Sequence, residues 1–207
     1  MATKLGITGG IGSGKSSVCE LLRVMGIPVY DCDKEASRLM NQSSTIREQL
    51  IKLVGEGVFD SGRTLNRKML ADFMFADALR VKAVNAIVHP AVRADFCRWA
   101  EERNEVSVVA MESAILYEAG MQDVVDAVVL VYTPAKERLQ RAMARDGASS
   151  KQIQRRMASQ LPDENKLALA DYVIHNAEAD AITPQVVELL RELDGADVVQ
   201  ENSPANC

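Results

Sequence analysis

The chain has 207 residues, 47% of them hydrophobic and 26% charged, the proportions of a folded globular chain rather than a disordered one. Aromatics are only 4% and the formal net charge is −5, which argues against a base-stacking surface and against any general attraction to nucleic acid or anionic membrane. The longest apolar runs are too short to span a bilayer, Met1–Gly6 lacks the regions of a signal peptide, and Cys19, Cys32, Cys97 and Cys207 show no metal-type or disulfide-type spacing, so a cytoplasmic, reducing setting is expected.

Lys4–Thr8 reads as a short buried strand running into glycines. A helical pattern follows over Lys15–Met25, with Val18, Leu21, Leu22 and Met25 on one face. Gly26 closes it, and Ile27–Tyr30 reads as a second strand ending at Asp31-Cys32-Asp33. Residues 34–103 are mostly helical, with a glycine-rich interruption over Gly55–Gly62 and a break expected at His89-Pro90. Val106–Met111 and Ala127–Tyr132 are β-branched runs, each long enough for one buried strand. Pro134 opens a helix reaching about Arg145, another begins near Ser150, Ala170–His175 is a last strand and Pro184–Leu193 a last helix. Gly195–Cys207 is polar and is expected to fray. Strands alternating with helices predict a mostly parallel sheet covered on both faces, with ligands at the carboxyl ends of its strands. Those ends carry Gly9-Gly10, Asp31-Cys32-Asp33 and Glu112.

Gly9-Gly10-Ile11-Gly12-Ser13-Gly14-Lys15-Ser16 fits G-x-x-x-x-G-K-[ST], between a strand and a helix as that pattern requires. The glycines allow positive backbone angles and leave room for an anion. Successive N–H groups and the positive end of the helix then converge on phosphates. In this pattern Lys15 faces the β- and γ-phosphates and the Ser16 hydroxyl is a Mg²⁺ ligand.

Asp31 and Asp33 would share one face of a continuing strand, where one could meet an acceptor hydroxyl and the other orient metal-bound water. Equally, Asp33 precedes Lys34-Glu35-Ala36 and could be a helix cap. Glu112 and Glu118 are weaker candidates. Residues 134–170 hold eight basic and four acidic side chains, a local charge of +4 that leaves −9 for the rest. Within them Arg138, Arg141 and Arg145 fall on one helix stripe, where like charges repel unless an anion lies among them. Gly147-Ala148-Ser149-Ser150 supplies the turn for a helical lid.

Together these motifs resemble the dephospho-CoA kinase family over roughly residues 4–195. The resemblance rests on Leu5–Ser16, Asp31-Cys32-Asp33, His89-Pro90, Gln140-Arg141 with Arg145-Asp146, the segment Ser150–Gln160, and Ala170–Ile174 before Asn176. It implies an α/β P-loop nucleoside-triphosphate hydrolase fold with a parallel sheet flanked by helices. The nucleotide-binding core would comprise 1–33, 104–135 and 168–195, with a helical acceptor (CoA) domain over 34–103, a lid over 136–167 and a flexible tail over 196–207. It implies transfer of the ATP γ-phosphate, with Mg²⁺, to the ribose 3′-hydroxyl of dephospho-CoA. Carried onto this chain, Asp33, Lys15 and Arg141 are catalytic; Gly10, Ile11, Gly12, Ser13, Gly14, Lys15, Ser16, Ser17 and Asn176 bind the nucleotide; Thr8, Asp33 and His89 meet the acceptor; and Ser16 holds the metal. Two departures stand out: Glu112-Ser113-Ala114-Ile115-Leu116-Tyr117-Glu118 replaces the family's Asp-x-Pro-Leu-Leu-aromatic-Glu, and Cys32 replaces a usual Ala.

Two other readings compete. A nucleoside monophosphate or shikimate kinase would share the architecture. A nucleotide-hydrolysing switch would not need a 70-residue helical insertion after the second strand, and the guanine-specific loop Asn-Lys-x-Asp is missing, since Asn165-Lys166 continues as Leu167-Ala168. The kinase with a large acceptor is favoured, with no nucleic-acid or membrane partner.

Overall fold

The protein is described here from a computed structural model, which covers residues 2–201. Five strands form one parallel sheet: β1 (Thr3–Thr8), β2 (Val29–Asp31), β3 (Val108–Glu112), β4 (Ala127–Tyr132) and β5 (Tyr172–His175), in the spatial order β2-β3-β1-β4-β5. Between β1 and β2 runs α1 (Lys15–Val24); between β2 and β3 come α2 (Cys32–Gln42), α3 (Ser44–Val54), α4 (Arg67–Phe75) and α5 (Ala78–Glu101). Between β4 and β5 lie α6 (Ala135–Asp146), α7 (Ser150–Ala158) and α8 (Asp163–Leu169), and α9 (Ile182–Glu201) follows β5.

The period-two geometry of the strands sorts the core. Along β3, Val108 and Ala110 join Val18, Cys19 and Leu22 of α1 and Val186 and Leu189 of α9 on one side of the sheet. Val109 and Met111 join Tyr30, Leu50, Val88 and Phe96 on the other. Register fixes which strand ends meet: Asp31 of β2 stands opposite Glu112 of β3, and Glu112 opposite Ile7 of β1. The three chemistry-bearing strand ends therefore form one row. A Cβ at Gly6 of β1 would lie 2.6 Å from the end of the fully buried Leu116 side chain, which would have to shift to admit it.

Several boundaries differ from expectation for identifiable reasons. Met25 leaves the apolar face of α1 and is 41% exposed, since the helix ends at Val24 and Gly26 turns the chain with φ +85. Asp31-Cys32-Asp33 does not continue as a strand: Asp31 is the N-cap of α2, its carboxylate accepting from the Lys34 N–H at 3.0 Å, and Asp33 lies in the first helical turn. No break occurs at His89-Pro90. Pro90 leaves the carbonyl one turn back without its N–H partner, yet α5 continues through 24 residues because Val84, Val88, Val92, Phe96 and Ala100, four apart, bury a continuous stripe. The separate helix α8 was not anticipated. The expected tail is helical as far as Glu201, a single Gly195 costing a helix only about 1 kcal/mol; residues 202–207 lie outside the described residues.

Helix α2 is fixed to α5 by a polar network. Asp95 on α5 accepts from the Tyr30 hydroxyl at 2.8 Å, and from Arg38 of α2 and Arg98. Burial pushes the Asp95 carboxyl pKa up, but the hydrogen bonds from Tyr30, Arg38 and Arg98 outweigh it and the net direction is down. The helix that carries Asp33 is thus held at both its cap and its middle.

Because Pro90 is exposed and costs α5 one hydrogen bond, Pro90→Ala should stabilise the fold by about 1–3 kcal/mol. Chemical denaturation would show a raised midpoint at unchanged slope; an unchanged or lowered midpoint contradicts this account of the helix.

Candidate active site

The loop between β1 and α1 wraps over the carboxyl end of the central strand. Gly12 and Gly14 have φ +80 and +87, a region that favours glycine. Side chains at Gly10, Gly12 or Gly14 would collide respectively with the Arg138 guanidinium, the Arg138 carbonyl and the Asn176 amide. Arg138, almost fully buried and paired with Asp163, is therefore a strut behind the loop. Asn176 serves the same end, donating to the Ser13 carbonyl at 2.8 Å, as does the buried Thr133 hydroxyl at 3.0 Å.

In front of the loop is a cavity of about 450 Å³. Ile11, Gly12, Gly14, Lys15 and Ser16 form one wall, Asp31, Asp33 and Glu112 a second, and Arg145, Arg156, Ser159 and Gln160 a third. The Lys15 ammonium donates to the Gly9 carbonyl at 2.9 Å, and burial lowers its pKa to about 8, with nearby Glu112 opposing. Asp33 keeps solvent contact through the cavity, but the surrounding protein and then Asp31 raise its carboxyl pKa, while Lys15 pulls it back. Burial likewise raises the pKa of Glu112, against Lys15. Asp33 also borders a second cavity of about 190 Å³, mostly apolar, lined by Ala36, Met40, Val84, Val88 and His89. Burial lowers the His89 pKa, favouring the neutral ring on this wall. A wider space of about 790 Å³ opens between Met74, Ala78 and Val81 on one side and Arg155 and Arg156 on the other.

The other predicted residues are placed as follows. Gly10 and Ser13 are buried inside the loop. Ser17 is exposed, its N–H bonded to the Gly14 carbonyl at 3.0 Å. Thr8 is buried at the end of β1, and neither its hydroxyl nor that of Ser13 has a hydrogen-bond partner. The arginine stripe does not converge on one point. Arg138 turns behind the loop, Arg141 donates to the Asn176 carbonyl at 2.8 Å and pairs with Glu137, and only Arg145 borders the cavity. Sequence reasoning missed the partner of Arg145. Asp146 holds Arg145 at 2.7 Å and Arg156 at 2.6 Å, and these guanidinium groups keep its own pKa down to about 2. It also missed Gln160, whose carboxamide oxygen accepts from the Ile11 N–H at 2.9 Å. No spacing signals such a contact, because 149 residues separate the partners.

A phosphate-binding loop leading out of the central strand of a parallel sheet, faced by carboxylates and arginines across a polar cavity, defines a P-loop phosphotransferase. The fold is shared with shikimate kinase from Acinetobacter baumannii (TM-score 0.55, 18% identity, 95% of each chain) and with dephospho-CoA kinase from Campylobacter jejuni (TM-score 0.71, 24% identity, 95% of this chain and all of that one). The dephospho-CoA kinase family model matches residues 3–181, and the chain belongs to that family. It is 46% identical to a dephospho-CoA kinase of Bacteroides fragilis over 92% of both chains, and 42% identical to one of Porphyromonas gingivalis over 90% of this chain and 92% of that one. The crystal structure of TT1252 from Thermus thermophilus is also similar, with 34% identity, a TM-score of 0.76, and coverage of 98% and 99%. Among the described residues, no helix is long and apolar enough to cross a membrane.

The lowered pKa of Lys15 has a consequence for ATP, the family's co-substrate. Above pH 8 the free side chain loses its charge, so binding must return a proton to it. ATP affinity should therefore fall about tenfold per pH unit above 8 and level off below it. Calorimetric titration from pH 7 to 9.5 checks this, and a flat profile would refute it.

Proposed function

We propose a division of labour among these residues for phosphorylation of the ribose 3′-hydroxyl of dephospho-CoA by ATP. The observation that carries it is the position of Asp33, which borders both the phosphate-loop cavity and the apolar cavity beside it. A group placed there meets a phosphoryl donor on one side and an acceptor on the other. The α2–α5 insertion acts as the acceptor domain, with His89 on its wall, and α6–α8 as the lid.

In the reacting complex the 3′-oxygen forms a bond to the γ-phosphorus, the bond from that phosphorus to the departing ADP breaks, and the hydroxyl proton passes to Asp33. The raised pKa of Asp33 suits it to hold that proton. Loop N–H groups and Lys15 hold the phosphates, and Arg145 and Arg156, oriented by Asp146, close over them. Arg141 acts more remotely, supporting the Asn176 turn behind the loop at the nucleotide side.

The donor set fits Mg²⁺ bound with its nucleotide. Among the described residues no cluster of three acidic, His or Cys side chains could cage a metal alone, while the Ser16 hydroxyl borders the cavity near Glu112 and Asp31. Mg²⁺ is commonly held by few protein oxygens plus substrate phosphates and water. Ser16 would hold it directly and Glu112 or Asp31 through water, and its charge would neutralise the β- and γ-phosphate oxygens. We place the reaction in the cytoplasm, where ATP is abundant and thiols such as Cys19, Cys32 and Cys97 stay free.

Asp31 and Asp33 should separate cleanly on mutation. Asp33→Asn should reduce turnover by about 10²–10⁴-fold with an unchanged melting temperature. Asp31→Asn should keep the wild-type melting temperature because Asn caps as well as Asp, and should lose less turnover than Asp33→Asn, whereas Asp31→Ala should cost about 1 kcal/mol of stability. Steady-state kinetics with dephospho-CoA, nucleoside monophosphates, shikimate and no acceptor supply the test. A fully active Asp33→Asn enzyme, or preference for another acceptor, would overturn this reading.

A further inference from the structure

Gln160 stands at the pivot between α7 and α8 and spends both ends of its carboxamide. The oxygen accepts from the Ile11 N–H of the phosphate loop at 2.9 Å, and the nitrogen donates to the Ala114 carbonyl at 3.0 Å. Ile11 belongs to the loop leaving β1, and Ala114 to the segment leaving β3, whose Ser113 N–H is bonded to Ile7 at 3.0 Å. One side chain thus ties the lid to the exits of two adjacent strands at the mouth of the cavity. We propose that Gln160 is the positioning residue that seats the lid, holding α7 so that Arg156 faces Lys15 and Asp33 and water is kept from the transferring phosphoryl group.

Three observations carry this. Ser159 and Gln160 border the same cavity as Arg156, so an arginine four residues away depends on where Gln160 is pinned. Flanking contacts anchor the same pivot: the Leu161 N–H donates to Glu118 at 2.6 Å, and Lys166, fully buried, reaches Glu118 at 3.7 Å. Those contacts fix the start of α8, while among the described residues only Gln160 hydrogen-bonds the pivot to the phosphate loop itself. Finally, the bridge requires one acceptor and one donor at the same reach. Gln offers both while neutral, Glu offers the donor only when protonated, and Met, at similar length, offers no donor and only a weak thioether acceptor.

These distinctions supply the experiment, which rests on the kinase reading and separates from it. Full-length wild type, Gln160→Met and Gln160→Glu are assayed at saturating Mg·ATP and dephospho-CoA, between about pH 4.5, where an ordinary glutamate is substantially protonated, and about pH 8. Turnover and the ratio of ADP formed to acceptor phosphorylated are both measured. Asp33, Glu112, Lys15, Glu118, Lys166 and Arg156 surround the pivot in all three proteins, so each variant is read as its ratio to wild type at the same pH.

Gln160→Met should lose on the order of tenfold to a hundredfold in turnover at every pH, with the KM for ATP little changed and ADP produced in excess over product. Gln160→Glu should behave like Gln160→Met at pH 8. It should recover toward wild type as the pH falls, because a protonated carboxyl restores the donor to Ala114 while keeping the acceptor for Ile11. Wild-type turnover and a ratio near one in both variants would overturn the proposal, as would a Gln160→Glu profile parallel to that of Gln160→Met. Melting temperatures identify a variant that is merely unfolded, and Gln160→Met, which keeps the side-chain volume, leaves the measurement available if Gln160→Glu folds poorly. A wild-type protein inactive on dephospho-CoA would instead overturn the kinase reading.

Discussion

Parallel pairing at the carboxyl ends of β2, β3 and β1 is the constraint on which the site depends. With Asp31 opposite Glu112 and Glu112 opposite Ile7, the phosphate loop, these two carboxylates and the start of α2 emerge side by side. A slip of one residue would turn Val109 and Met111 to the face that now holds Val108 and Ala110, exchanging the two cores. The register that places the chemistry is therefore enforced by apolar burial on both faces of the sheet, and no active-site residue has to hold it.

On that frame the electrostatics are arranged by distance from solvent. Buried Arg138 is neutralised by Asp163 and fills the space that Gly10 and Gly12 leave, so a cation stabilises the loop from behind without facing the cavity. Lys15 faces the cavity with its charge weakened by burial, a state that an arriving polyphosphate reverses. Arg145 and Arg156 remain more exposed, sharing Asp146. The more buried of these cations thus lie at the loop, and the more exposed ones on α6 and α7.

Much of this was legible in the residues. The glycine-rich loop announces itself because backbone conformation and close packing restrict which residue types it tolerates, and the five strands follow from apolar runs of strand length. Asp33 could be singled out from its place after β2, yet its competing reading as a cap was resolved only by the structure: the cap is Asp31, since the helix begins at Cys32, two residues earlier than a cap at Asp33 would start it. The expected break at Pro90 failed for a related reason. Local geometry at a proline is weaker than a 24-residue helix with a buried stripe on its packed side.

The sequence by itself determined the class of fold, the phosphate loop and the family, because each is written in short-range pattern: glycine spacing, strand-length apolar runs and ordered motifs. The tertiary structure alone decided which charges face the cavity in front of the phosphate loop. Arg138, Arg141 and Arg145 look equivalent along one helix, but they diverge because each finds a different partner brought near by the fold: Asp163, the Asn176 carbonyl and Asp146. The pairing of Gln160 with Ile11, 149 residues apart, is of the same kind. Such contacts depend on where whole helices dock, a sum of many apolar burials that no local window of residues records.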